Sequence, residues 1–228
     1  MSTNERILSP FTLPNGTELK NRLLMAPMTT CTGYYDGTVT SELVEYYRAR
    51  AGSIGTIIVE CCFVDDLGLA FPGAIGIDND EKIAGLAKIA DAIKSKGSKA
   101  LLQIYHGGRM VDPKLIGGRT PVGPSAVAAP RDGAATPVAL TAEEVEGMIG
   151  KFGEAVRRAI QAGFDGVEIH GANTYLIQQF FSPNSNQRDD EWGGSRENRA
   201  KFPLAVLDIT HKMVRQYADD AFIIGYRF

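Results

Sequence analysis

Short apolar runs recur along the chain at intervals that suit an alternation of strands and helices. They are rich in β-branched residues and are largely apolar along their length, as expected for strands that are buried on both faces. The predicted strands cover residues 23–28, 55–64, 99–105, 166–171 and 221–228.

The stretches between these runs carry apolar residues three and four positions apart, which is the spacing of one helix face. In the clearest of them that face is formed by Val145, Met148, Ile149, Phe152, Val156, Ala159 and Ile160. Thr141 and Glu144 predict a capping box at its start, and Gly163 predicts its end. The other predicted helices cover residues 41–51, 80–96 and 195–217. Asp78 and Glu81 are expected to cap the start of the helix over 80–96.

Strands that alternate with helices predict an α/β fold with a parallel sheet, either doubly wound or closed as a (β/α)8 TIM-type barrel. The segment after the first strand reads APMTTCTGYY and lacks the GxGxxG of a dinucleotide-binding unit, which favours the barrel. Asn15-Gly16 predicts a two-residue β-hairpin within residues 1–22, covering the amino end of the barrel. Residues 23–228 then supply five strands and four helices, so we expect a single domain, 1–228, that is truncated after the fifth strand of a barrel.

Composition narrows the class of protein further. The net charge of -3 and the pI near 5.7 do not show the excess of basic residues that nucleic-acid-binding proteins carry, so nucleic acid is not expected as a partner. The sequence has no apolar run of membrane-spanning length, and its first residues lack the shape of a signal peptide, so we expect a cytoplasmic protein without a membrane partner. Cys31, Cys61 and Cys62 cannot build a disulfide framework and are expected to be reduced thiols.

Polar side chains stand where the predicted strands end, which is where parallel α/β folds collect their chemistry. These residues are Thr29, Thr30, Glu60, Cys61, Gln103, His106, His170, Asn173 and Arg227. A metal site of His106, His170 and Glu60 is disfavoured because no HxH or HExxH motif supports it. There is no strand-end lysine for a Schiff base and no GxSxG elbow for a hydrolase. The remaining set, rich in neutral hydrogen-bonding groups, suits a flat heterocycle and a carbonyl oxygen.

The segment HGANTYLIQQFFSPNSNQRDDEWGGSRENRAKF resembles the fourth-strand signature of the old yellow enzyme family, the FMN-dependent NAD(P)H:flavin oxidoreductases or ene-reductases. NRLLMAPMTT is similar to the family's first strand, LLQIYHGGR to its third and GYRF to its fifth. The resemblance covers essentially the whole chain. It implies a (β/α)8 barrel that binds FMN at the carboxyl ends of its strands and takes electrons from NADH or NADPH.

The resemblance also implies a role for each matched residue. Pro27, Met28, Thr29, Cys61, Gln103 and Arg227 would contact the flavin. Thr29 would bind its C4 carbonyl edge, Gln103 its pyrimidine edge, and Arg227 the side that carries negative charge after reduction. His170, beside the flavin, and Asn173 would hold the carbonyl oxygen of a small-molecule substrate, and Tyr175 would protonate its α-carbon.

The implied activity is reduction of activated alkenes such as enones, with quinones or nitro compounds as related acceptors. In the family, the groups that bind the FMN phosphate come from the seventh and eighth strands, which are not among the five strands predicted here. The alternative is therefore a truncated, non-catalytic fragment or assembly module that binds flavin weakly or not at all. The open strand edges would favour homo-oligomers. The charges between Arg188 and Arg199 are expected to be structural, with Ser195 as a helix cap.

Overall fold

A five-stranded parallel sheet forms the centre of the molecule. The structure, a computed structural model, describes residues 3–228. The sheet consists of β3 (Leu24–Met25), β4 (Thr56–Phe63), β5 (Lys99–Tyr105), β8 (Gly166–His170) and β9 (Ile223–Arg227). Its spatial order is β3-β4-β5-β8-β9, so every strand lies beside the one that precedes it in the chain. A doubly wound sheet would reverse its order at a switch point, and this sheet runs in one direction as a barrel wall does.

Four long helices connect the strands, in the places that the apolar spacing predicts. They are α2 (Ser41–Arg50), α3 (Ile83–Lys94), α4 (Ala142–Gln161) and α6 (Arg196–Tyr217). The described residues also contain two short α-helices that the pattern did not predict, α1 (Thr3–Leu8) and α5 (Leu176–Phe181). Two short strands, β6 (Val122–Gly123) and β7 (Val138–Ala139), pair with each other in the long connection before α4.

The hydrophobic core is divided between the two faces of the sheet. The larger cluster packs the helices against one face, with Ile57, Leu102 and Val167 among its fully buried members. A smaller cluster on the opposite side includes Phe63 and Tyr105. The predicted strands are therefore apolar on both faces because helices cover one and a second layer of side chains covers the other.

Some predicted boundaries were wrong in detail. The first strand ends at Met25 rather than at residue 28. The second helix begins as a 3-10 turn whose cap is Asn79, which accepts a hydrogen bond from the backbone of Glu81, and not Asp78 as expected. The capping box of Thr141 and Glu144 is confirmed in both directions.

The amino-terminal hairpin is present, although its turn is longer than predicted. Strands β1 (Phe11–Thr12) and β2 (Glu18–Leu19) pair antiparallel. The Gly16 amide donates to the Leu13 carbonyl and Gly16 has a φ of 88°, the pattern of a three-residue loop that ends in a left-handed residue. The Asn15 amide donates to the carbonyls of Asp220 and Phe222, so the hairpin covers the amino end of β9. Residues 1 and 2 of the predicted cap lie outside the described residues.

No helix in residues 3–228 is long and apolar enough to cross a membrane.

Candidate active site

The predicted site residues collect at the carboxyl edge of the sheet. Because the five strands run parallel, their carboxyl ends lie on the same side. His170 pairs with Arg227 in the register of β8 and β9, and Gln103 pairs with Glu168 in the register of β5 and β8. Residues in the carboxyl-terminal parts of three neighbouring strands therefore form one continuous surface.

Three polar side chains cross this surface as a connected chain of hydrogen bonds. The Gln103 amide donates from Nε2 to Oε1 of Glu168 over 2.7 Å. Arg227 donates to the same carboxylate, from Nε to Oε1 over 2.9 Å and from Nη2 to Oε2 over 3.3 Å. Gln103 and Glu168 are both buried. The two predicted flavin contacts, Gln103 and Arg227, are thus joined through the carboxylate of Glu168, which was not among the predicted site residues.

A bulge in β4 sends two neighbouring side chains in different directions. Val59 pairs with Leu102 and Cys62 with Ile104, so Glu60 and Cys61 together oppose the single residue Gln103. An extra residue of this kind re-aims the side chains of a strand. Cys61 joins the cluster of Phe63 and Tyr105.

Cys61 lies beside the predicted flavin contact Thr29, whose Oγ1 is 3.4 Å from the Cys61 Sγ. Burial raises the pKa of the Cys61 thiol to about 12; the hydrogen bond to Thr29 lowers it, and the charge of Glu60 raises it. The group is therefore a neutral thiol at physiological pH.

Glu60 fixes the segment that carries Thr29. Its carboxylate accepts hydrogen bonds from the backbone amide of Thr30 over 3.3 Å and from the Thr30 hydroxyl over 2.9 Å. The Tyr47 hydroxyl donates to it over 3.2 Å and accepts from the Glu60 amide over 2.9 Å. Burial raises the pKa of Glu60, and these hydrogen bonds oppose the rise. Glu60 is a structural link between α2, β4 and the loop after β3.

His170 ends β8 as a buried, neutral imidazole. Burial lowers its pKa to about 4, and the positive charge of Arg227 lowers it as well. Its Nδ1 is buried and has no hydrogen-bond partner among the described residues. Its ring lies 5.0 Å from that of Tyr175, with the planes at 83°, and 6.5 Å from that of Tyr105.

Tyr175 stands at the start of α5 and faces the same cluster. Its ring makes edge contacts with Tyr105 at 5.2 Å and Phe71 at 6.3 Å. Burial raises the pKa of Tyr175 to about 12, with a smaller contribution from Cys61. A half-buried phenol with this pKa carries its proton throughout the physiological range.

The loop between His170 and Tyr175 has an unusual backbone. Asn173 has a φ of 53° and Thr174 a φ of 63°, two successive left-handed residues. Asparagine adopts this region readily, whereas a β-branched threonine is strained there. Gly171 permits the close approach of Tyr226, because a Cβ at Gly171 would lie 2.5 Å from that ring. Asn173 is exposed, and no hydrogen bond joins it to His170 in the part of the chain that the structure describes.

Pro27 and Met28, the other predicted flavin contacts, follow the end of β3. Pro27 is half-buried, and Met28 is 52% exposed. The apolar side chain of Met28 is therefore free to cover a ligand at the carboxyl edge. Neither residue is tied into the hydrogen-bonded chain of Gln103, Glu168 and Arg227.

The charged segment after α5 is structural, as predicted. Arg188 donates to both carboxylate oxygens of Asp190 and to the backbone carbonyls of Pro124 and Leu140. The Asn186 amide donates to the carbonyls of Phe180 and Trp192 over 2.7 and 2.8 Å. Ser195 caps α6 by accepting from the Asn198 amide over 3.1 Å. These bonds tie the crossover between β8 and α6 to the β6 and β7 loops.

One nitrogen of His106 is already used in a backbone hydrogen bond. Nδ1 of His106 accepts a hydrogen bond from the Gly108 amide over 3.0 Å, which leaves its proton on Nε2. Burial lowers the pKa of His106 to about 4. Within the described residues, no group of three or more histidine, cysteine or acidic side chains is arranged to hold a metal ion.

The donors at this edge fit the flavin ring that the resemblance implies. A flavin presents carbonyl oxygens and an imide N–H along one edge, and an amide, a guanidinium and a hydroxyl match these groups. Gln103, Arg227 and Thr29 supply them. The unpartnered Nδ1 of His170 also marks a place for a polar ligand, because a buried polar atom without a partner costs about 1–3 kcal/mol.

Comparison with known proteins agrees with this interpretation. The model of the NADH:flavin oxidoreductase / NADH oxidase family matches residues 6–228. The chain is 88% identical over 228 residues to an NADH:fumarate oxidoreductase of Klebsiella pneumoniae (strain 342), and covers 25% of that protein. It is 59% identical over 223 residues to an NADH:acrylate oxidoreductase of Vibrio harveyi; that match takes in 98% of this chain and 22% of the relative. The chain thus spans about a quarter of each of these relatives.

A solved structure shows the same fold. The old yellow enzyme homologue from Zymomonas mobilis superimposes with a TM-score of 0.85 at 32% sequence identity, over 96% of this chain and 62% of that chain. The predicted fold class is confirmed, with the five parallel strands being those of a barrel in this group. The matched family uses NADH and a flavin, which agrees with the FMN cofactor and the NADH reductant expected from the sequence motifs. The chain belongs to the NADH:flavin oxidoreductase / NADH oxidase family.

Proposed function

We propose that the protein reduces the carbon–carbon double bond of alkenes that are conjugated to a carbonyl or carboxyl group, using NADH and FMN. The observation that carries this proposal is the packing of Tyr175 against His170, a neutral proton donor beside a neutral hydrogen-bonding imidazole. The relatives named for fumarate and acrylate reduction support this substrate class, because both compounds are alkenes conjugated to a carboxyl group.

The cofactor-binding residues in this proposal are those at the carboxyl edge. Gln103, Arg227 and Thr29 would hydrogen-bond the polar edges of the ring, Cys61 would lie near it beside Thr29, and Pro27 and Met28 would cover it by backbone and apolar contacts. When bound, FMN would supply the chemistry of hydride transfer between NADH and the acceptor. The positive guanidinium of Arg227 favours the form of the cofactor that carries negative charge.

His170 and Asn173 bind the carbonyl or carboxyl oxygen of the substrate. Hydrogen bonds to this oxygen become stronger as negative charge develops on it, which lowers the barrier to hydride addition at the β-carbon. His170 suits this role as a neutral donor, because its low pKa keeps the imidazole uncharged near neutral pH.

Tyr175 donates a proton to the α-carbon. The overall reaction consumes one NADH, one proton and one alkene, and yields NAD⁺ and the saturated product. The phenol is protonated at neutral pH because its pKa is raised to about 12, and solvent restores its proton after each turnover.

The first test is spectroscopic and uses the purified protein. We expect a yellow protein whose flavin band is bleached by NADH under anaerobic conditions and restored by acrylate, fumarate or an enone. Quinones and nitro compounds are tested as acceptors in the same assay. A colourless protein that gains no flavin band with added FMN would contradict the proposal and favour the non-catalytic alternative.

The second test places a ligand on His170. Phenols that stack on flavins in this family produce a long-wavelength charge-transfer band. We expect His170→Ala to lose this band and His211→Ala, an exposed position in α6, to keep it. An unchanged band in His170→Ala would contradict the assignment of the oxygen-binding site.

A further inference from the structure

We propose that Glu168 is a positioning residue that fixes the orientation and the effective charge of two flavin contacts, Gln103 and Arg227. This inference rests on the proposed function. Glu168 is the one acid of the run GVEIH, and its side chain is buried on a strand whose other positions are apolar or part of the site. The sequence motifs did not single it out.

The carboxylate determines which end of the Gln103 amide faces the ligand. An ionised carboxylate only accepts hydrogen bonds, so the NH2 group of Gln103 must point toward Glu168, as it does over 2.7 Å. The carbonyl oxygen of Gln103 is then directed away from Glu168, as an acceptor. A flavin offers its imide N–H to such an acceptor, and an amide in the flipped orientation would present a second donor instead.

The same carboxylate holds Arg227 by two of its nitrogens. Nε and Nη2 both donate to Glu168, in the forked geometry that restricts a guanidinium to one plane. Among the described residues Nη1 of Arg227 makes no hydrogen bond that would compete with a ligand. Glu168 therefore directs the remaining donor of Arg227 rather than merely accepting its charge.

Glu168 also offsets the positive charge of Arg227. The ion pair between Arg227 and Glu168 is formally neutral, and its Arg227 lies opposite His170 in the register of β9 and β8. Without the carboxylate, the full positive charge of Arg227 would act on a bound flavin. Negative charge on the reduced cofactor would then be more strongly stabilised, so reduction would become easier.

The test is an anaerobic redox titration of the flavin-bound protein, with Glu168→Gln as the main variant. We expect the ratio of affinities for reduced and oxidised flavin to increase about tenfold, which corresponds to roughly 30 mV toward positive potential for a two-electron couple. The conservative variant Glu168→Asp keeps the charge but is too short to reach both partners. It should leave the potential unchanged and weaken FMN binding about tenfold.

Asp165→Asn is the matched control. Asp165 precedes the same strand at its opposite end, where it pairs with Lys99 over 3.0 Å. This variant should lower stability but leave the potential and FMN affinity unchanged. An unchanged or more negative potential in Glu168→Gln would overturn the proposal, as would equal shifts in Glu168→Gln and Asp165→Asn.

The variants and the wild-type protein together distinguish a wrong role for Glu168 from a wrong proposed function, even if one variant does not fold. If Glu168→Gln does not fold, Glu168→Asp decides, and wild-type affinity for FMN in that variant would overturn the proposal. A wild-type protein that binds no FMN would overturn the proposed function, and this inference with it. A wild-type protein that binds FMN and is reduced by NADH, while Glu168→Gln keeps the wild-type potential, would overturn only the role of Glu168.

Discussion

The imidazole of His170 lies 5.0 Å from the phenol ring of Tyr175, centroid to centroid, and the two planes meet at 83°. The edge contact keeps both polar groups close to the cluster formed by Tyr105 and Phe71. Burial acts on both groups in the same direction, because it favours the uncharged form of each. The pair therefore combines a neutral oxygen-binding group with a protonated acid.

Replacing Tyr175 with phenylalanine tests the role of this acid. Tyr175→Phe keeps the ring contacts and removes the proton, so alkene reduction should slow by about 10²–10⁴-fold. Reduction of the flavin by NADH should change by no more than about threefold, because that step needs no proton from Tyr175. Stopped-flow measurement of the two half-reactions separates these effects. Equal slowing of both would show that the hydroxyl is structural.

The carboxyl edge also predicts how stability depends on pH. His170 and His106 both have their folded-state pKa lowered to about 4, below the ordinary value near 6.5. The unfolded state therefore binds more protons between pH 6.5 and 4, and stability falls as the pH falls through this range. The loss amounts to about 2 kcal/mol per histidine by pH 5.

Urea denaturation at pH 7 and pH 5 measures this loss. His170→Gln should remove roughly half of the difference in unfolding free energy that the two histidines produce, whereas His211→Gln should leave it unchanged. A wild-type stability that is equal at the two pH values would contradict burial of the neutral imidazoles.

The sequence predicted the sheet well because its strands are continuous apolar runs. β5 was predicted with the bounds that the structure shows, Lys99–Tyr105, and β8 differs by one residue at its end. The edge strand β3 was overestimated, because the apolar residues around Pro27 continue the pattern beyond the last paired residue. Apolar residues indicate burial, and residues that follow a strand can be partly buried without pairing with a neighbouring strand.

The hydrogen-bonded chain through Glu168 could not be predicted in the same way. Its members come from three strands and are separated by 65 and 59 positions along the sequence. A bulge such as that at Glu60 and Cys61 also leaves no mark on the apolar pattern, since both positions are buried. Helix α5 was missed because its six residues, LIQQFF, are too few to show a helical period.

Arg188 is expected to matter for stability rather than for chemistry. It joins Asp190 to the carbonyls of Pro124 and Leu140, and its side chain is 10% exposed. Arg188→Ala would leave those two carbonyls without this donor and would leave the Asp190 carboxylate with only the backbone amide of Trp192, at a cost of about 1–3 kcal/mol. Arg188→Lys should recover little, since one ammonium cannot replace the fork.

Thermal unfolding of Arg188→Ala and Arg188→Lys measures this cost. The flavin potential of each variant, measured below its unfolding temperature, should equal that of the wild type. A potential that shifts while stability is retained would show that the segment takes part in the chemistry of the site.

Thr174 offers a position where the native residue is strained. Its φ of 63° lies in the left-handed region, which β-branched residues rarely adopt and glycine adopts freely. Replacing it with glycine removes a penalty of about 1–2 kcal/mol but gives the unfolded chain more freedom, which costs about 0.5–1 kcal/mol. Thr174→Gly should therefore raise the unfolding free energy by about 1 kcal/mol.

Thr174→Ala is the matched control, because it shortens the side chain and keeps a Cβ in the strained region. A larger gain from alanine than from glycine in urea denaturation would contradict strain at this residue. The backbone bonds of Thr174 to Gln178 and Gln179 are available to either variant, so the difference between the two isolates the conformational penalty of the loop that carries Asn173.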